Sequence, residues 1–451
     1  MKKTKTIYVC DSCGGKTLRW AGQCPDCGAW NTLTETQSIG STPARAAEAV
    51  AAGDMVMEGL SRAGERETPR FPTGLEELDR VLGGGVVPGS VTLIGGDPGI
   101  GKSTLLLQAA ASLARGRPVL YVSGEESPAQ VGLRARRLEV ADAPVTLAAE
   151  TCVERILEAA HKAKPGVLVV DSIQTVFTAM LQSAPGAVAQ LRESTALFTR
   201  YAKQSGTAVF LVGHVTKEGV IAGPRVLEHM VDTVLYFEND AGSRYRVIRA
   251  IKNRFGAANE LGVFAMTETG LKEVKNPSAI FLSRHGEPVS GSAVTVIREG
   301  SRPMLIEVQA LVDESHINNP RRVAVGMDAN RLSMLLAVLH RHGSVAMFGH
   351  DVFLNVVGGL RVSETAADLA VLLAVLSSFR DRPLAEDLIV FGEVGLAGEI
   401  RPVYNGEDRL REAAKHGFKR AIVPRANAPR KAVEGLEIVP VQRLAEAIAS
   451  L

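Results

Sequence analysis

Val91-Thr92-Leu93-Ile94 is followed by Gly96-Asp97-Pro98-Gly99-Ile100-Gly101-Lys102-Ser103, then by Thr104 and the helix-forming run Leu105-Leu106-Leu107-Gln108-Ala109. A short β-branched strand, a glycine-rich turn ending in Lys-Ser and an apolar helix make the complete P-loop pattern in its required context. Glycines let backbone N–H groups wrap a β-phosphate, and the start of the following helix favours an anion. Lys102 supplies a cation for the β- and γ-phosphate oxygens, and the Ser103 hydroxyl suits Mg²⁺. Residues 96–104 are therefore the expected ATP cradle.

Working outward, Val167-Leu168-Val169-Val170 ends in Asp171-Ser172. A carboxylate at the tip of a buried parallel strand, downstream of a P-loop, reads as the Asp that holds the metal through water. Between the two, Val119-Leu120-Tyr121-Val122-Ser123 leads into Gly124-Glu125-Glu126-Ser127. A glutamate on that neighbouring tip is placed to orient an attacking water. Glu125 and Glu126 are not distinguished, and both also suit the first turn of a helix. Thr207–Val212 ends in Gly213-His214. There a polar side chain would face the γ-phosphate and report nucleotide state to residues 216–229, unless His214 is simply a surface histidine.

The chain has 451 residues, enough for two or three domains at about 100–200 residues each. Its formal charge of +2 argues against a generally basic, histone-like chain but permits a local basic surface. Aromatics make up 5%, so base-stacking platforms are not expected to dominate it. No apolar run reaches ~18 residues, and the basic N-terminus leads into Cys and Gly rather than an apolar stretch, so neither a membrane helix nor a signal peptide is expected. The expected compartment is the cytosol, where thiols stay reduced.

Four of the five cysteines form two CxxC pairs, Cys10/Cys13 and Cys24/Cys27, each followed by glycine. Four thiolates at this spacing suit a tetrahedral structural Zn²⁺. Two disulfides or a redox pair compete, but disulfides fit the cytosol poorly and a redox CxxC needs no second pair. Residues 1–30 carry five basic side chains (Lys2, Lys3, Lys5, Lys16, Arg19) against two acidic ones (Asp11, Asp26), a mild excess that permits nucleic acid. Residues 35–70, rich in Ala, Gly, Ser, Thr and Glu, read as a mobile tether. The expected boundaries are 1–34 for the zinc ribbon, 35–70 for the tether, 71–274 for the nucleotide-binding domain and 275–451 for a further α+β domain. In the last, 328–342 and 364–379 have helical apolar spacing, and 352–357 and 387–391 look like strands.

Residues 73–104 resemble the entry to a RecA-type ATPase core, and the order of P-loop, Glu-bearing tip, LVVDS and polar tip follows it. Lys252-Asn253-Arg254-Phe255-Gly256, after an expected strand at 245–251, matches the KNRFG motif of the bacterial RadA (Sms) family of DNA repair proteins. That family joins a four-cysteine zinc finger, a RecA-like core and a Lon-protease-like C-terminal domain, and all three occur here in that order. The resemblance implies a ring-forming, DNA-dependent ATPase, expected as a hexamer, using ATP, Mg²⁺ and Zn²⁺. It would act on single-stranded and branched DNA beside a RecA-type recombinase. For Lys252 and Arg254 three roles stay open: completing a neighbouring subunit's ATP site, touching DNA phosphates, or ending a strand in solvent.

The stretch 396–403 and Arg409-Leu410 resemble the region around the catalytic lysine of Lon-type proteases. Aligned on that pattern, the nucleophile position falls on or near Ala366 and the lysine position on Glu407. Thr365 is one residue off and Lys415 too far along its helix, so the fold is expected without the Ser–Lys dyad. Arg321, Arg322, His340, Arg341, His342, Arg409 and Arg411 are candidate DNA contacts. The rival classes are an ATP-dependent protease, a nucleotide-switched signalling ring of the KaiC type and a non-catalytic scaffold.

Overall fold

The computed structural model describes residues 5–10, 15–17, 19–38, 69–214, 226–238, 244–282, 287–316 and 319–451. The chain divides into two compact units, Met1–Glu273 and Val274–Leu451.

At the N-terminus, β1 (Lys5–Cys10) pairs antiparallel with β2 (Lys16–Thr17) and β3 (Leu33–Ser38). Among the described residues the core of this ribbon is three side chains, Cys10, Cys24 and Leu33, with Tyr8 packed against them. Strand β3 runs four residues into the stretch assigned to the tether, and Glu35 to Ser38 pair with Tyr8 to Lys5. Cys13 and most of the tether lie outside the described residues.

The nucleotide-binding part is a nine-stranded sheet. Helix α1 (Glu76–Leu82) leads to β4 (Val91–Gly95), then α2 (Lys102–Leu113), β5 (Val119–Ser123), α3 (Pro128–Arg137) and β6 (Val145–Ala149). Next come α4 (Val153–Ala163), β7 (Val167–Asp171), α5 (Val188–Ser205), β8 (Ala208–Val212) and β9 (Thr233–Phe237). An antiparallel meander closes it: β10 (Tyr245–Asn253), β11 (Leu261–Thr267) and β12 (Gly270–Glu273). The strand order is β12-β11-β10-β9-β4-β8-β7-β5-β6, and the last six are mutually parallel.

The continuous apolar runs of these strands have a direct cause: both faces of the sheet are covered. Along β7, Val167 and Val169 join one core while Leu168 and Val170 join the other. Strand β8 splits the same way, Phe210 to one side and Leu211 to the other. Helix α2 packs Leu105 and Ala109 into the first core, and α5 packs Leu191 and Phe198 into the second. Ser127 caps α3 by a reciprocal capping box with Gln130, which fixes where the Glu-bearing loop ends and the helix begins.

The second unit holds a seven-stranded mixed sheet. Its elements are β13 (Ser292–Glu299), β14 (Arg302–Glu314), β15 (Arg322–Val325), α6 (Ala329–Gly343), β16 (His350–Val356), α7 (Asp368–Arg380) and β17 (Leu388–Val390). The pair β18 (Glu393–Val394) and β19 (Ile400–Arg401) follows, then α8 (Gly406–Lys415), β20 (Arg420–Pro424), β21 (Glu437–Val441) and α9 (Leu444–Ala449). Sheet order is β15-β16-β14-β13-β17-β20-β21. Helix α7 is almost wholly buried, from Asp368 to Ser377. The expected helix at 328–342 appears as α6, with the Asp328 side chain accepting a 2.9 Å bond from Arg331 N. The expected helix at 364–379 starts later, because 365–367 form a 3₁₀ turn.

Two candidate DNA contacts are corrected here. Arg409 is fully buried: its guanidinium pairs with Glu364 and donates to the carbonyls of Val296 at 2.5 Å and Tyr404 at 3.0 Å. Arg322 gives its N–H groups to the carbonyls of Arg321, His350 and Met347. Of the remaining candidates, Arg321, His340, Arg341 and Arg411 are exposed. Ala366 is buried, its carbonyl accepting from Gly392 N at 2.8 Å, whereas Glu407 sits on α8 and pairs with Arg411 at 3.2 Å.

Truncating one partner of a buried ion pair strands the other charge at a cost of about 3–5 kcal/mol. Because the Glu364 carboxylate left behind is 28% exposed, Arg409→Ala is expected to destabilise the C-terminal unit by somewhat less, about 2–3 kcal/mol, read as a lowered urea midpoint, while Arg411→Ala leaves the midpoint nearly unchanged.

Candidate active site

The C-terminal ends of β4, β5, β7 and β8 lie side by side and are stitched together by their backbones. Gly213 N donates to Ile94 O at 2.8 Å, Gly124 N to Asp171 O at 2.7 Å and Ile173 N to Val212 O at 2.8 Å. Everything loaded onto these four tips is thereby brought to one edge of the sheet.

On the first tip, residues 96–101 form the turn into α2. Gly99 and Gly101 have φ of +75° and +120°, a region that side chains rarely enter. Ile100 is buried and anchors the loop in the core. Its carbonyl accepts a 2.8 Å bond from Arg246 Nε, a buried arginine on β10. Lys102 is buried too, and its ammonium donates to Gly96 O at 2.8 Å and Asp97 O at 2.9 Å. Burial pushes its pKa down to about 8, with Asp171, Glu125 and Asp97 opposing the shift. Ser103 and Thr104, in the first turn of α2, are partly exposed, as is Asp97; Pro98 is exposed.

Asp171 ends β7 and is nearly buried. Its Oδ2 accepts a 2.6 Å bond from the hydroxyl of Tyr121 on β5. The two glutamates part company. Glu126 is turned toward α3, where it pairs with Arg134. Glu125 faces the edge, accepting a bond from the Ser172 hydroxyl and lying 3.1 Å from His214 Nε2. The His214 bond, with Ser172 and Lys102, holds the Glu125 carboxyl down to about 2, against the opposing effect of partial burial. Gln174 Nε2 donates to His214 O at 3.1 Å, so the fourth tip is tied to the third.

These residues fit a nucleotide and its metal. The site offers one buried cation, a carboxylate with an oxygen not engaged by Tyr121, a hydroxyl at a helix start, and polar atoms to spare. His214 Nδ1 and Gln174 Oε1 are buried without a hydrogen-bond partner among the described residues. At the ribbon, Cys10, Cys24 and Cys27 present sulfurs within 4.8 Å of one another, and Cys10 Sγ lies 3.7 Å from Cys27 Sγ. Two thiolates at about 2.3 Å from one tetrahedral zinc are about 3.8 Å apart, so the spacing suits the ion.

Lys252 and Arg254 are elsewhere. Strand β10 runs antiparallel to β9, pairing Lys252 with Val234 and Asn253 with Thr233, and Thr233 pairs with Thr92 near the foot of β4. The KNRFG segment thus sits at the opposite end of a five-residue strand from the P-loop, on the order of 15 Å away. There Lys252 donates to the carbonyls of Glu228 at 2.7 Å and Val231 at 2.8 Å, and Arg254 pairs with Asp232 at 3.2 Å. Asp232 is buried and also holds Val91 N at 3.0 Å and Lys203 at 2.7 Å. Tyr121, Ser172, Arg246, Asp232 and Arg134 escaped the sequence reading. Ser172 had a signal, being adjacent to Asp171, and Tyr121 was a polar tip within an apolar strand.

Together the parallel sheet, the P-loop edge, the thiolate ribbon and the second α/β unit define a RecA-like P-loop ATPase with a zinc ribbon and a Lon-like C-terminal domain. Known families match along the same order: a rubredoxin metal binding domain over residues 8–35, an AAA domain over 63–220, and the subunit ChlI of Mg-chelatase over 334–427. DNA repair protein RadA of Pseudomonas aeruginosa is 61% identical over 452 residues, covering 100% of both chains. That of Escherichia coli is 56% identical, covering 99% of this chain and 98% of its own, and that of Bacillus subtilis 49% identical, covering 99% of each. The chain belongs to the family of the bacterial DNA repair protein RadA.

Two outcomes follow from the site. Glu125→Gln is expected to cut steady-state ATP turnover by roughly 100-fold or more, and Glu126→Gln only a few-fold, because Arg134 already engages the second carboxylate. Lys102 has a folded pKa below its ordinary value, so its amine begins to lose its charge as pH rises through about 8. Phosphates bind the ammonium, so ATP affinity measured by calorimetry should weaken above about pH 8, approaching tenfold per pH unit.

Proposed function

We propose that this protein is a DNA-dependent ATPase of recombinational repair. It works as a ring, hexameric by family resemblance, that moves along single-stranded DNA and remodels branched intermediates beside a RecA-type recombinase. The observation that carries this reading is the separation of the two charged ends of one strand. Lys102, Glu125, Asp171 and His214 gather at the head of β4, while Lys252 and Arg254 stand at its foot. Cations there cannot serve their own P-loop. In a head-to-tail ring they would face a neighbour's nucleotide, where cations neutralise charge on the transferring phosphoryl group.

Within one subunit, the backbone N–H groups of 96–101 and Lys102 hold the phosphates, and the Ser103 hydroxyl and Asp171 position the metal. Bound Mg²⁺ would supply charge neutralisation at the β- and γ-phosphate oxygens. A carboxylate with a pKa near 2 is a poor base, so Glu125 acts mainly by orienting water and accepts a proton only late in the reaction. Ser172 and His214 fix its rotamer, and His214 senses whether the γ-phosphate is present. Tyr121 keeps one Asp171 oxygen occupied and thereby aims the other.

DNA binding is expected to be largely independent of sequence, since nothing resembles a base-reading helix. Arg321, Arg341 and Arg411 remain as exposed phosphate contacts in the C-terminal unit. That unit serves as a scaffold without proteolysis, because Ala366 carries no nucleophile and Glu407 no amine. Among the described residues no helix is long and apolar enough to cross a membrane.

The test is steady-state ATPase of the full chain with and without single-stranded DNA at low and high salt. DNA should stimulate turnover. For six phosphate contacts on a single strand, the affinity behind that stimulation should fall roughly 300-fold between about 50 and 200 mM salt. Turnover indifferent to DNA at every salt concentration would instead favour a nucleotide-switched signalling ring.

A further inference from the structure

Both tryptophans of the chain, Trp20 and Trp30, lie in the metal ribbon, and both are in solvent, 59% and 70% exposed. They are the two largest apolar side chains of a module whose core, among the described residues, is Cys10, Cys24 and Leu33. Burying either indole would add more apolar area than any core residue supplies, on the order of 200 Å². The ribbon instead spends its metal-binding loops on holding them outside.

Their placement is local and defined. Trp30 forms an isolated antiparallel bridge with Gln23, and Asn31 N donates to Gly22 O at 2.8 Å. The Trp30 ring lies across Gly22, where an added Cβ would stand 3.7 Å from its Cζ3. Gly22 is two residues after Trp20, so the indoles share one end of the ribbon. Exposed beside them in sequence are Arg19, Gln23, Asp26 and Asn31, together with the small apolar Ala21 and Pro25. Aromatic anchors with a polar rim also occur at protein interfaces, but residues 1–30 carry five basic side chains against two acidic ones, which favours an anionic partner. Here the exposed rings are flanked by an arginine, two amides and the carboxylate of Asp26. This suits an unpaired base, which needs a plane to stack on, a cation for its phosphate and polar groups for its edge.

We propose that Trp20 and Trp30 form a base-stacking platform for single-stranded DNA, with Arg19 at the adjoining phosphate. The proposal rests on the DNA reading above and gives the ribbon a direct part in it. Stacking on every base alike, the platform would hold strands without reading their sequence.

Intrinsic tryptophan emission of the full-length, zinc-replete protein reports this ribbon alone. Titration with an unlabelled single-stranded oligonucleotide is expected to quench it, and a strand of the same length built of abasic units is expected not to. Binding measured in parallel by anisotropy of a labelled strand should weaken roughly 5- to 100-fold in Trp20→Ala and in Trp30→Ala. Trp30→Phe should keep most of the affinity. Zinc content by elemental analysis shows that each variant retains its ribbon; should an alanine variant lose the metal, the abasic comparison on the unaltered protein decides. Strands that bind with no change in emission, or normal and abasic strands that quench alike, would overturn the platform while leaving the DNA reading intact. No binding by anisotropy would remove both. Emission that responds to a recombinase filament but not to the oligonucleotide would assign the indoles to a protein partner and overturn the proposal.

Discussion

Six neighbouring strands that run parallel share one C-terminal edge, and this single constraint places the site. A parallel pair cannot be joined by a tight turn, so every strand but β9, whose successor β10 pairs with it antiparallel, is followed by a crossover that begins at that edge. The P-loop, the Glu125 loop, Asp171-Ser172 and Gly213-His214 are the starts of four such crossovers. Their side chains meet because the backbone ladder fixes the tips: Ser123 pairs with Asp171, and Gly213 N bonds to Ile94 O. The burial that shifts Lys102 is the same burial that makes the strands uniformly apolar.

The edge is also a small electrostatic system. A buried ammonium shares it with a nearly buried carboxylate and a half-exposed one, and both carboxylates favour the charged amine. Lys102 is pushed down by desolvation and drawn back by Asp171 and Glu125, while Lys102 in turn helps to keep Glu125 ionised. Arg134 removes Glu126 from this group and Tyr121 occupies one oxygen of Asp171. Two adjacent glutamates thus acquire different chemistry from neighbours on different elements, one on the following helix and one across the sheet.

Much of this was legible in one dimension, because a P-loop is a local motif and a buried parallel strand writes itself as an apolar run. The tie between Glu125 and Glu126 was not, since Ser172 and Arg134, which break it, come near only on folding. Arg409 was mistaken for a surface cation. The stripe Gly406, Leu410 and Ala413 runs along the buried side of its helix and Arg409 falls within it, yet an arginine there needs a partner, and Glu364 is far off in sequence. Strands β20 and β21 went unread, and β10 extends two residues past its expected end to take in Lys252 and Asn253. The ends of these elements depend on ladder partners that no local pattern names.

Asp232 joins three things that are otherwise separate: the first N–H of β4, the ammonium of Lys203 on α5, and the guanidinium of Arg254. Strand β4 is bonded on one side to β8 and on the other to β9, and its far end becomes the P-loop. A strand clamped on both flanks bends little and stretches less. It therefore behaves as a strut, with a carboxylate as its lower fitting and the phosphate cradle as its upper one. Through Asp232 and the length of β4, a displacement of Arg254 would be passed toward Gly96.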